Sequence, residues 1–203
     1  GMLVLILNKV PWVDEVYSWY GICHENHELF WKSINSGVNY SPPLYFYINW
    51  ILQLFVPLSL NILRVESMLC VVGGTILIFL TVKKKLNGES AFLGTITILF
   101  QSSLLFEQSI EARNYGLFFF CSAAVLFCGQ SLSSNRTSKY VWLITFIAHL
   151  TLCLTHYLGI IFSVSAALSR YLTVKNFRFR DIRNSPEILS WIFVIPSYFF
   201  LIS

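Results

Sequence analysis

Apolar and polar positions in this chain fall into long blocks rather than a fine alternation. Residues 65–82, 91–106, 115–132, 140–155, 158–174 and 188–203 are six apolar runs, each near the length of about 20 residues that crosses a bilayer as a helix. The punctuation between them is short and polar. Lys83, Lys84 and Lys85 with Asn87-Gly88 close the first run, a polar knot covers 107–114, 133–139 is hydrophilic, and 175–186 is basic. Ahead of these, 2–7 is apolar but too short to span, and reads as the tail of a longer helix. Residues 11–41 read as a polar loop. Residues 44–60 are apolar and aromatic, are interrupted at Pro57, and can either span or lie along the interface. No internal repeat and no low-complexity segment breaks the pattern.

The pattern predicts an all-α polytopic transmembrane bundle of about six spans plus an interfacial helix in the first outer loop. Composition agrees: of 203 residues 56% are hydrophobic and 12% charged, with mean hydropathy +0.65. Soluble domains carry about a quarter charged residues. The net charge of +4 raises the question of nucleic acid, and the distribution answers against it. Ten of fourteen basic residues lie in or beside three short loops, at Lys83, Lys84, Lys85, Arg136, Lys139, Arg170, Lys175, Arg178, Arg180 and Arg183. That bias marks cytoplasmic loops, not a surface that tracks phosphates.

Placing those loops inside sends 65–82 inward, 91–106 outward, 115–132 inward, 140–155 outward and 158–174 inward. Asp14, Arg64, Glu111, Arg113 and His156 then share the outer face. The count works if 44–60 starts and ends outside, which favours the interfacial helix. Asn135-Arg136-Thr137 matches a glycosylation sequon that this topology leaves inside and unused. One membrane domain, 1–203, is expected, divided into an outer-face loop, 11–64, and transmembrane helices, 65–203.

The five cysteines have no metal spacing, and four lie in apolar runs where Cys is a small hydrophobe. His24 and His27 beside Glu25 and Glu28 lack further ligands, although a divalent metal is left open. Asp14 and Glu15 are adjacent carboxylates among Trp12, Trp19 and Tyr20. Against an apolar wall their pKa rises and one can take a proton from a hydroxyl; alternatively they are a solvated loop in an aromatic belt. Pro42-Pro43 fixes two φ angles ahead of a helix. Arg64 either snorkels or binds an anion. Glu111-Ala112-Arg113-Asn114-Tyr115 puts two charges and an amide at a helix start, where a guanidinium can fork onto a phosphate or simply form an ion pair. His156 interrupts an apolar hairpin at the same level. Charges from four separate outer positions converge as an active site at the membrane boundary would require.

In order, these residues are an Asp-Glu pair, Pro-Pro-Leu-Tyr, an Arg opening a helix, a Lys-rich turn, Glu-Ala-Arg-x-Tyr and Thr-His-Tyr. The series resembles the GT-C glycosyltransferases, in the branch of the protein O-mannosyltransferases and the lipid A aminoarabinose transferase, over residues 11 to about 172. The resemblance implies transfer of a sugar from a polyprenyl-phosphate donor to a lipid, glycan or protein acceptor at the outer face of the bilayer, in a bacterial cytoplasmic membrane. It implies Asp14 as the base and Glu15 as its support. Arg64 and Arg113 would hold carboxylates or the lipid phosphate, with Glu111, Tyr115 and His156 around the donor and Pro42 and Pro43 shaping its loop. Tyr40-Ser41 stands where relatives carry a charged residue before the prolines. The family's first helix and its next large outer loop are missing, so a truncated product is expected. The competing expectation is a non-enzymatic membrane protein, a transporter or scaffold subunit.

Overall fold

The computed structural model describes residues 8–36, 41–132, 138–173 and 185–202. Among these residues the regular structure is helical throughout, with no strand. Its ten bounded helices are α1 (Val13–Ile22), α2 (His27–Asn35), α3 (Leu44–Leu52), α4 (Leu60–Lys83), α5 (Gly88–Gln101), α6 (Ser103–Ser109), α7 (Tyr115–Leu132), α8 (Lys139–Thr155), α9 (Leu158–Thr173) and α10 (Pro186–Ile202). Long apolar runs take this form because a helix satisfies every main-chain donor and acceptor within the segment.

Six elements differ from the sequence pattern. The polar stretch expected as a loop holds α1 and α2. The Asn26 side chain accepts from Glu28 N at 2.8 Å to start α2, and Ile22, Phe30 and Ile34 supply a buried apolar side. α3 is nine residues long, too short to span, and its C-terminal side chains turn back: Trp50 Nε1 and Gln53 Nε2 both donate to the His24 carbonyl, at 2.9 and 2.8 Å. The run 91–106 divides at Ser102, which leaves helical geometry (φ −94°, ψ 88°) and accepts Leu105 N on its hydroxyl, so α5 ends and α6 begins there. α4 starts at Leu60 because Ser59 caps Ile62 N, which places Arg64 one turn inside the helix.

α4 packs along α7, α7 along α8, and α8 along α10, while α9 contacts α7 and α8. Close approach of α4 to α7 depends on Gly116, where an added Cβ would lie 2.7 Å from Ser67 O and 2.9 Å from Ser67 Cα. The helices place sequence-distant charges at two opposite ends. At one end the starts of α4 and α7 meet the end of α8, with Ser67 Oγ donating to Arg113 O (3.0 Å) and Asn114 Nδ2 to Thr155 O (3.0 Å). At the other, Lys84 Nζ reaches Ser131 Oγ (3.2 Å) and Arg170 Nε reaches Glu187 Oε1 (2.8 Å). α1, α2 and α3 cover the first end through a core of Ile22, Phe30, Tyr45, Phe46, Leu63 and Ala112.

Among the described residues two helices, α4 and α7, are long and apolar enough to cross a membrane, with mean hydropathy 2.1 and 1.6. The sequon at 135–137 and the basic stretch carrying Lys175, Arg178, Arg180 and Arg183 lie outside the described residues.

Candidate functional site

The first end is built on a buried ion pair. Glu15 stands in the first turn of α1, and its side chain is wholly buried. Arg64 Nε donates to its Oε1 at 2.9 Å and Arg64 Nη2 to its Oε2 at 2.8 Å, a forked pair across 49 residues. Two main-chain donors complete the carboxylate: Ala112 N at 2.8 Å to Oε1 and Trp12 N at 3.0 Å to Oε2. The third guanidinium nitrogen donates to the Lys9 carbonyl at 3.0 Å. A single carboxylate thereby joins α1, α4 and the segment before α7. Burial alone pushes the Glu15 carboxyl up, but the Arg64 hydrogen bonds and the Ala112 and Trp12 N–H groups outweigh it and hold the group below its ordinary value. The apolar wall expected to raise this pKa is therefore overcome by donors.

Asp14, one residue earlier, has the opposite setting. Its side chain is 59% exposed, and Arg113 Nη1 lies 3.1 Å from Oδ2. The Arg113 guanidinium also lies over the Tyr115 ring, 4.7 Å from its centroid. Glu111 pairs with Lys9 Nζ at 3.1 Å, both largely buried. His156 caps the end of α8; its Nδ1 accepts from Leu158 N at 3.1 Å, which places the proton on Nε2. Its ring rests against Tyr115 and Phe118, with centroids 5.6 and 5.2 Å away. Burial, and then the Arg113 charge, push its pKa down, so His156 is neutral here.

Asp14, Glu15, Arg64, Glu111, Arg113, Tyr115 and His156 thus occur at one end of the bundle, in linked contacts. Pro42 and Pro43 act one element away: the Pro43 carbonyl accepts Tyr47 N at 2.9 Å to start α3, whose Tyr45 and Phe46 pack into the core beneath Ala112. Lys9 and the Ala112 N–H are part of the site without having been singled out. Nothing in their sequence setting marks them, since their roles come from contacts more than 50 residues away. Behind the ion pairs, Tyr45 Oη, Asn49 Oδ1 and Glu66 Oε2 are buried without a hydrogen-bond partner among the described residues. His27 Nε2 accepts from Trp31 Nε1 at 2.8 Å, and no group of three or more His, Cys, Asp or Glu side chains with metal-binding geometry occurs among the described residues.

Chemically, this end offers the exposed Asp14 carboxylate beside a partly exposed guanidinium, a neutral imidazole and a tyrosine. It can accept a proton and meet an anion at neighbouring atoms. Comparison with protein-family models, with curated proteins and with solved structures gives no match to this chain.

Proposed function

We propose that the chain is a membrane glycosyltransferase similar to the GT-C enzymes, moving a sugar from a polyprenyl-phosphate donor to an acceptor hydroxyl at the outer face. The observation that carries this reading is the division between two adjacent carboxylates. Glu15 is buried and saturated by four donors, so it holds the scaffold. Asp14 is exposed against Arg113, so it can receive a proton beside a cation. In the reaction the acceptor oxygen attacks the anomeric carbon and the bond from that carbon to the phosphate oxygen breaks with inversion. The acceptor proton passes to Asp14, and the electron pair leaves with the phosphate, toward Arg113. Arg64, engaged by Glu15 and Lys9, enters as a positioning residue.

The multi-pass reading has its own support. Only 17% of the apolar window of α4 and 39% of that of α7 is buried within the chain. Leu69, Val72 and Ile76 are 61%, 51% and 53% exposed along one side of α4. Contiguous apolar surface of this kind needs a cover, and lipid supplies it without a partner. α8, α9 and α10, with 17, 16 and 17 residues, stand at the short limit for spanning.

The test is sugar transfer from a polyprenyl-phosphate donor in liposomes. Asparagine at position 14 keeps the size and loses the basicity, so Asp14→Asn should lower the rate about 10²–10⁴-fold while donor binding persists. A normal rate in that variant would move the base elsewhere. Absence of donor binding in the wild type would end the glycosyltransferase reading.

A second reading, a transporter, is favoured by polar side chains inside apolar helices. His149 Nδ1 and Ser163 Oγ lie 2.6 Å apart midway along α8 and α9, and Trp191 Nε1 donates to the same hydroxyl at 2.7 Å. Polar groups at such depth line pathways in many transporters. Solute flux into the same liposomes without sugar transfer would select it.

A further inference from the structure

A cavity between α1 and α2 takes no part in the chemistry above. It holds about 300 Å³, at the small end of the roughly 300–1,000 Å³ of small-molecule sites. Tyr17 and Tyr20 line it from α1, and His24, Lys32, Ser33 and Ser36 line it from the turn and α2. The main chain beneath is held firmly, since the His24 carbonyl accepts from both Trp50 and Gln53 of α3. The His24 ring stands edge-on to Tyr20, with centroids 5.9 Å apart. Its Nε2 is buried with no hydrogen-bond partner among the described residues, a cost that a hydroxyl from a bound guest would relieve.

The chemistry of the lining selects the guest. Lys32 Nζ is paired with Glu28 at 2.8 Å, so the cavity does not call for an anion. Two tyrosine rings offer faces for C–H groups, and an imidazole nitrogen with serine hydroxyls offers hydrogen bonds to several hydroxyls at once. Aromatic faces with uncharged polar groups are what a sugar ring requires. The placement is also suggestive. Asp14, Tyr17 and Gly21 follow at i, i+3 and i+7 on one side of α1, and three residues advance about 4.5 Å along a helix. A ring seated against Tyr17 would thus lie about one helical turn from Asp14.

We propose that the α1–α2 cavity binds the acceptor, and that the acceptor group is a neutral pyranose unit held by Tyr17, Tyr20 and His24. This assignment rests on the glycosyltransferase reading and adds the acceptor class to it. The test is saturation-transfer NMR on the full chain in lipid nanodiscs, with the methyl α-pyranosides of mannose, glucose and galactose as probes. Transfer to the ring protons of at least one probe is expected in the wild type, and it should be lost in Tyr20→Ala and in His24→Ala. Tyr20 is 60% exposed, so its removal leaves the packing intact, and unchanged helix content and melting confirm that. No transfer to any probe, or equal transfer in wild type and both variants, overturns the proposal. A parallel titration with polyprenyl phosphate separates the two failures. If that lipid binds and no pyranoside does, the acceptor assignment alone falls. If a pyranoside binds and the lipid does not, the cavity is a sugar site and the transferase reading falls.

Discussion

Asp14 and Glu15 are neighbours along the chain and opposites in environment, about 100° apart around α1. Removing one partner of a buried pair leaves the other uncompensated, so Arg64→Leu should cost about 3–5 kcal/mol, read as a lowered melting temperature. The pH dependence follows from the direction of the Glu15 shift. Its carboxyl lies below the ordinary 4.5 in the folded chain, so the unfolded chain binds more protons in that range. The stabilisation is complete above about pH 4.5 and is lost as pH falls through the depressed folded value. Melting curves from pH 7 to pH 3 should show Glu15→Gln and wild type converging toward acid; parallel curves would contradict the role of Glu15. Arg113 makes a different prediction. Lysine keeps its charge but loses the planar guanidinium that reaches Asp14 while stacking on Tyr115. Arg113→Lys should therefore slow transfer by at least about tenfold, as one lost charge-assisted bond of about 1.5–3 kcal/mol implies. An unimpaired rate would take Arg113 out of the site.

At the scale of the element, α7 determines whether the site assembles, because Arg113 and Asn114 lie just before its first residue, Tyr115, and contact α4 and the end of α8. Gly116 sits at that crossing. A methyl group there would press on the Ser67 main chain at 2.7–3.1 Å, and backbone in a packed helix cannot give way cheaply. Gly116→Ala should push α7 off α4, weaken the Ser67–Arg113 hydrogen bond, cost about 1–3 kcal/mol and reduce transfer. Gly129, further along the same helix, faces open space. Gly129→Ala is the matched control and should be neutral or stabilising by up to about 1 kcal/mol through helix propensity. Equal losses at both positions would show that the crossing does not depend on a small residue.

For the whole molecule, the proposed membrane reading requires that the two ends face opposite sides of the bilayer. The site end carries Asp14, Glu111 and Arg113, and the other end carries Lys83, Lys84, Lys85, Lys139 and Arg170. Excess lysine and arginine stays in the cytoplasm. In intact cells, with Cys23 replaced by serine, a cysteine at Glu25 should react with an impermeant thiol reagent and one at Lys85 should be protected. Reaction at Lys85 from outside would invert the orientation and place the site end in the cytoplasm.

Several features were legible from the sequence by itself. Blocks of apolar residues too long for strands and too poor in polar groups for loops admit helix as the form that satisfies their main chain. That settled the all-helical class, the end of α4, the bounds of α7, and the bounds of α8 to α10 within a residue or two. Several candidate residues stood out as well, Asp14 and Glu15 in the polar stretch and Arg64, Glu111, Arg113 and His156 between apolar runs. The role of each remained open, because it depends on which side of a helix meets which neighbour. Asp14 and Glu15 read alike in sequence, and only the rotation of α1 against α4 buried one on Arg64 and left the other beside Arg113. The helices within 11–41 were hidden because their caps and buried positions acquire meaning only when α3 packs against them. The break at Ser102 was hidden for a related reason: the run is apolar on both sides, and local backbone geometry with one hydroxyl ends the helix. Contacts across 40 to 100 residues, among them Glu15–Arg64, Glu15–Ala112 and Asn114–Thr155, were decided by the packing of helix faces that no local pattern encodes.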